Sequence, residues 1–173
     1  MSDVLTPTIR PYRHGDDDAC RACVVELQDA ERELDPRLRS GDSMADDYLR
    51  HMHARCRDYA GTILVAELAG AIVGLTMVLT HVPFEALDEP PGHCALVAEL
   101  VVRAGSRGHG VGRALLHAAE RVAHQSDATE LRIGVLSNNL PARQLYIDEG
   151  FAPYSEILAK PLEPPSHRAG FGR

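Results

Sequence analysis

Residues 101–116 read Val101-Val102-Arg103-Ala104-Gly105-Ser106-Arg107-Gly108-His109-Gly110-Val111-Gly112-Arg113-Ala114-Leu115-Leu116. An apolar strand-like run passes here through glycines 108, 110 and 112 into a helical pattern. Free N–H groups at a helix head carry roughly half a positive charge in aggregate, and glycines let an anion approach the backbone closely. Arg107 and Arg113 add fixed charge on either side, so the chemistry on offer is recognition of a diphosphate. A dinucleotide fingerprint is absent, because the sixth position is Arg113 counting from Gly108 and Leu115 counting from Gly110. The Gly-Lys-Ser/Thr ending of a P-loop is absent too. The spacing that fits is Arg-x-x-Gly-x-Gly at Arg107, Gly110 and Gly112. A tight strand-to-helix turn that binds nothing would use the same residues.

Other candidate groups are sparse. Glu99 is the lone carboxylate in Ala95–Arg103, where a desolvated side chain would make a base; an outward-facing residue at an edge or bulge is the alternative. Glu26, Asp29, Glu31 and Glu33 lie on or near one helix, as a solvated face or as an attraction for a cation. Cys20 and Cys23 have a metal-like gap, but they sit in a helical apolar pattern with no second close pair, and the four cysteines are expected as buried thiols. The histidines form no constellation, so no metal is expected.

The elements that must carry these groups follow from periodicity. Thr8–Tyr12 reads as a strand, and a helix begins at Asp16-Asp17-Asp18 with Cys20, Val24, Leu27 and Leu34 on one side, up to Pro36. A second helix opens at Ser43, with Asp46 at capping-box spacing and Tyr48, Met52, Cys56 and Tyr59 as its stripe. Strands at Thr62–Leu68 and Ala71–Val82 form a hairpin around Ala69-Gly70, and a loop occupies His81–His93. The strand Ala95–Arg103 leads through the glycines to a helix over 110–125, with Val111, Leu115, Ala118 and Val122 inward. A strand at Glu130–Leu136, a helix at Leu140–Glu149 and two strands near Phe151–Leu162 complete the pattern. The expected fold is α/β, with helices on both faces of a mixed sheet. The polar, Pro- and Gly-rich 163–173 segment reads as a disordered tail.

At 173 residues the chain suits one domain, 8–162, able to bury roughly 70% of its unfolded surface without disulfide or metal. A net charge of −7 argues against nucleic acid as a partner and favours a cationic small substrate. Met1–Pro7 lacks the basic flank and apolar core of a signal peptide. The longest apolar run, Ala71–Leu79, is too short to span a bilayer, so a cytoplasmic protein without a membrane partner is expected.

Downstream, Asn139-Leu140-Pro141-Ala142-Arg143-Gln144-Leu145-Tyr146-Ile147-Asp148-Glu149-Gly150-Phe151 pairs an asparagine with Leu-Tyr and Gly-Phe. Together with the Arg-x-x-Gly-x-Gly loop, this resembles the GNAT (Gcn5-related N-acetyltransferase) superfamily over about residues 8–162. The resemblance implies a mostly antiparallel sheet of about six to seven strands and acetyl-CoA as cosubstrate. It places the pantetheine arm beside a bulged fourth strand, on backbone groups of Leu100, Val101 and Val102. It places the pyrophosphate on Arg107, Gly108, His109, Gly110, Val111, Gly112 and Arg113, and Asn139 and Tyr146 at the cofactor. The N–H near Leu100 would polarise the thioester carbonyl. Tyr146 would donate a proton to the leaving thiolate; its phenol, with a pKa of about 10 against about 8.5 for a thiol, stays protonated at neutral pH. Asn139 beside Pro141 also suits a helix cap, and Tyr146 also suits a core position.

Attack requires a neutral amine, and a lysine-like amine is neutral in only about one molecule in 2,500 at pH 7, a penalty near 4.6 kcal/mol. Glu99 is the candidate that takes the proton, directly or through water. The implied activity is acetylation of a small-molecule amine. Acetylation of a protein lysine or N-terminus, and non-catalytic acyl-CoA binding, are the rivals, and a homodimer is common among similar proteins.

Overall fold

The computed structural model describes residues 6–84 and 91–162. Five strands form one sheet in the order β1 (Thr8–Pro11), β2 (Thr62–Leu68), β3 (Ala71–Pro83), β4 (His93–Val102) and β5 (Leu131–Ile133). All pairings are antiparallel except β4 with β5. The helices are α1 (Asp17–Leu34), α2 (Ala45–Asp58), α3 (Val111–His124) and α4 (Leu140–Asp148).

Strand alternation divides the apolar residues between two faces. Ile63, Val65, Leu75, Met77, Leu79 and Val101 pack against Cys20, Cys23 and Val24 of α1 and Ala45 and Met52 of α2. Ala66, Val73, Val78 and Val97 pack against Val111, Leu115 and Ala119 of α3. Leu75, Met77, Leu79 and Leu115 are fully buried, which stabilises each by about 1.5–3 kcal/mol relative to exposure. Burial pushes the Cys20 thiol up to about 12 and Cys23 up to about 11, so neither is reactive.

The β2–β3 hairpin turns through Ala69 (φ 51°) and Gly70 (φ 80°), two consecutive left-handed residues as a tight hairpin requires. Arg10 ties β1 to the entrance of α1 through Asp16 (2.7 Å) and to β2 through Glu67 (2.9 Å). No described helix is long and apolar enough to cross a membrane.

Four expectations change. The sheet has five strands among the described residues, because 151–162 carries no strand; Pro153 and Pro161 remove two ladder donors, and Ile157 and Leu158 stand exposed. The strand expected over 130–136 is confined to β5. The Ser43–Asp46 capping box does not form: α2 starts two residues later, and the Ser43 hydroxyl donates instead to the Ser40 carbonyl at 2.8 Å. β3 runs on to Pro83, which shortens the loop expected from His81; its residues 85–90, and the tail 163–173, lie outside the described residues.

Candidate active site

The site begins with one extra residue in β4. Met77 of β3 faces Glu99 and the next residue, Val78, faces Val97, so Ala98 has no partner and forms a β-bulge. Val97 packs toward α3, whereas Ala98 packs toward α1 and α2. Regular alternation would return Glu99 to the α3 face. The bulge keeps it on the α1/α2 face, where its carboxylate accepts a hydrogen bond from the Tyr48 hydroxyl.

The same bulge ends the pairing of β4 with β5, whose last register pair is Val97 with Ile133. Beyond it, among the described residues, β4 keeps only its β3 neighbour. The Arg103 amide donates to the Val73 carbonyl at 2.8 Å, so alternate residues Val101 and Glu99 also face β3. The amides and carbonyls of Leu100 and Val102 therefore point into the gap, where the Val102 carbonyl accepts from Arg107 Nε at 2.9 Å. The gap offers an extended ligand the edge of a strand.

At the end of this gap stands the head of α3. Gly108 and Gly110 both have φ +77°, where a side chain would be strained, and the space a Cβ would enter is open at both. No side chain caps α3, its first turn carries no acid, and its first backbone bond runs from Ala114 to Gly110. The amides of Val111, Gly112 and Arg113 have no acceptor among the described residues, which is the construction of an anion site. Glu26 braces the approach by accepting from Arg103 Nε and the Ala104 amide, both at 2.9 Å. Burial alone would raise this carboxyl, and those bonds hold it below its ordinary range.

The two flanking arginines diverge. Arg107 is exposed beside the glycines. Arg113 turns toward α4 and pairs with Glu149, whose other oxygen lies 2.6 Å from His117 Nε2. Arg113 Nε thus fastens the end of α4 to α3.

α4 is shaped at both ends. Asn139 caps it by accepting from the Ala142 amide at 3.3 Å, and Pro141 occupies its first turn. At the other end Gly150 (φ 90°) lets the Phe151 amide reach the Tyr146 carbonyl (3.0 Å) and its own amide reach Ile147 (3.0 Å). This is a Schellman ending, and its customary apolar contact is the edge-on Tyr146–Phe151 pair, centroids 6.1 Å apart. The Leu-Tyr…Gly-Phe pattern therefore orients Tyr146. Its side chain is buried, and its hydroxyl has no hydrogen-bond partner among the described residues. Burial first, then the charges of Glu31 and Glu99, push the phenol up to about 12.

Glu99 is displaced in the useful direction. Burial raises it from 4.5 to about 7, against the Tyr48 bond, which lowers it; Glu31 raises it further and Arg55 lowers it. Tyr48, the most consequential residue outside the motifs, was visible only as the head of the α2 stripe. A buried tyrosine needs a partner for its hydroxyl, which is the signal that points to it. A groove of about 720 Å³ lined by Tyr12, Leu49, His53, Cys56 and Arg57 shares no residue with this site.

A bulge in an α/β sheet thus opens a strand edge that leads to an uncapped helix head, and sets beside Tyr48 a carboxylate whose charge reaches the buried Tyr146. The acetyltransferase (GNAT) family matches residues 24–151, and the chain belongs to that family. The fold is similar to a GCN5-related N-acetyltransferase from Ralstonia eutropha JMP134 (TM-score 0.68, 19% identity, 91% of this chain and 99% of that one). It is also similar to a ribosomal-protein-alanine N-acetyltransferase from Brucella melitensis (0.62, 24%, 83% of each chain). A transcriptional regulator from Bacillus halodurans C-125 has the same architecture (0.70, 20%, 91% and 100%). At these identities the likeness is one of fold. No curated protein sequence matches the chain significantly.

Proposed function

We propose that this acetyltransferase takes its acetyl group from acetyl-CoA and delivers it to the primary amine of a small molecule by direct attack in a ternary complex. The observation that carries this reading is the bulge at Ala98, which ends the β4–β5 pairing and keeps Glu99 on the α1/α2 face beside Tyr48. The residues fit the cosubstrate: the amides of 108–113, with Arg107, suit the pyrophosphate, and the Leu100 and Val102 backbone groups suit the pantetheine amides. When bound, acetyl-CoA supplies an activated acyl group on a thiol leaving group.

The chain's own groups do the proton work. Glu99 receives the proton that an ammonium must lose before its nitrogen can attack; at a pKa of about 7 it is half ionised at neutral pH and a far stronger base than an ordinary carboxylate. Tyr48 holds one carboxylate oxygen and leaves the other for the amine. Tyr146, kept protonated by its raised pKa, gives a proton to the departing sulfur. The Leu100 N–H, which points into the gap, would stabilise charge on the thioester carbonyl oxygen. Net acidity favours a cationic acceptor.

Calorimetry with acetyl-CoA followed by a thiol-release screen over small amines, peptides and acetyl-CoA alone tests the proposal. Saturable binding with turnover on small amines supports it. Turnover on peptides only reverses the acceptor class, and absence of binding by the folded protein refutes the assignment.

A further inference from the structure

We propose that Glu31 reads a second cationic group on the acceptor, so that the centre prefers diamines and other doubly basic amines to monoamines. This rests on the amine acetylation proposed above.

Cys20, Val24 and Leu27 lie at intervals of four and three on the side of α1 that packs on the sheet. The next position on that stripe, one turn on, is Glu31, where continued packing would call for an apolar side chain. Its carboxylate is partly buried, and burial raises its pKa.

The other acids of this half of α1 are accounted for. Glu26 binds Arg103 and the Ala104 amide, Asp29 accepts from the Gly41 amide at 2.8 Å, and Glu33 is exposed. Glu31 makes no side-chain hydrogen bond or ion pair among the described residues. Leu27, one turn before it, packs against the same core cluster as Tyr48 and Ala98, and the Glu31 charge acts on Glu99, Tyr48 and Tyr146 alike.

A carboxylate withdrawn from water without a partner is costly, and a cation brought by the ligand removes that cost. The two carboxylates then divide the work. Glu99 becomes neutral as it takes the proton of the reacting nitrogen, whereas Glu31 stays charged and holds an ammonium that does not react. A monoamine leaves Glu31 unpaired.

The test compares short α,ω-diaminoalkanes with n-alkylamines of equal chain length, by thiol release from acetyl-CoA with the full chain. Wild type is expected to favour the diamines through KM. Glu31→Gln should raise the diamine KM by roughly 10- to 100-fold, the usual weight of a charge-assisted bond. Its acetyl-CoA affinity by calorimetry should stay at the wild-type value, and the acid limb of its kcat profile should move to lower pH, because the charge that helps to raise Glu99 is gone. Glu31→Asp, which keeps the charge on a shorter stem, should retain part of the preference. Equal treatment of both series by wild type, or an undiminished preference in E31Q, overturns the inference and leaves amine acetylation standing. No thiol release with any amine overturns both.

Discussion

Replacing Glu99 with Gln should make the protein slower and, above neutrality, more stable, because the same burial produces both effects. The carboxyl is raised from 4.5 to about 7. At about 1.36 kcal/mol per unit, the ceiling on the energy involved is roughly 3 kcal/mol, and partial exposure brings it to about 1–2 kcal/mol. Because the folded pKa lies above the unfolded one, the fold favours the neutral form. That stabilisation is present in full below about pH 4.5 and is lost as pH rises through about 7. Wild type near pH 8 therefore bears a buried charge that Gln does not. Thermal unfolding should show Glu99→Gln melting about 2–8 °C higher at that pH, with the two proteins converging below about pH 5. Activity moves the other way: loss of the base should lower kcat by roughly 10²- to 10⁴-fold.

The pH profile supplies the discriminating result. With acceptor and acetyl-CoA saturating, wild-type kcat should fall on the acid side of about pH 7. Tyr48→Phe removes a hydrogen bond that lowers the Glu99 pKa, so its acid limb should move to higher pH. An acid limb that persists unchanged in Glu99→Gln, or does not move in Tyr48→Phe, would refute the assignment of Glu99 as base.

Three further outcomes test the rest of the site. Tyr146→Phe should leave acetyl-CoA affinity by calorimetry near wild type while reducing kcat by roughly tenfold or more, since only the proton donor is lost. Gly110→Asp should abolish acetyl-CoA binding, because it strains a φ of +77° and sets a carboxylate against the phosphate site; Gly110→Ala, with open space around its Cβ, should fold and bind more weakly. Gly74→Ala should lower Tm without reference to ligand, because its Cβ would meet the Val101 carbonyl oxygen at 2.6 Å, on the strand that carries the bulge.

Much of this was legible from the chain alone. The glycine spacing at 108, 110 and 112 identified the helix head, because glycine suits the positive φ at 108 and 110, leaves room there for an anion, and at 112 avoids a tight contact with Leu145. Gly150-Phe151 marked the end of α4, because a Schellman ending needs that glycine and an apolar residue after it. The apolar stripes of α1 and α3 were readable because helical burial repeats every three to four residues. Local rules of this kind depend on a residue and its near neighbours.

The remaining decisions belong to contacts between distant segments. Whether Glu99 faced solvent, α3 or α2 depended on one unpaired residue in β4, and a shift by one position reverses every side chain on a strand. Tyr48 met Glu99 across 51 positions, and Glu149 drew Arg113 toward α4 across 36. The apolar residues of 151–162 had strand-like composition, yet a strand exists only where another backbone accepts its hydrogen bonds, and none does so here among the described residues. Periodicity is a property of neighbours along the chain. Ionisation and pairing are set by neighbours in space, which is why the sequence named the candidate groups and the tertiary structure decided which of them face one another.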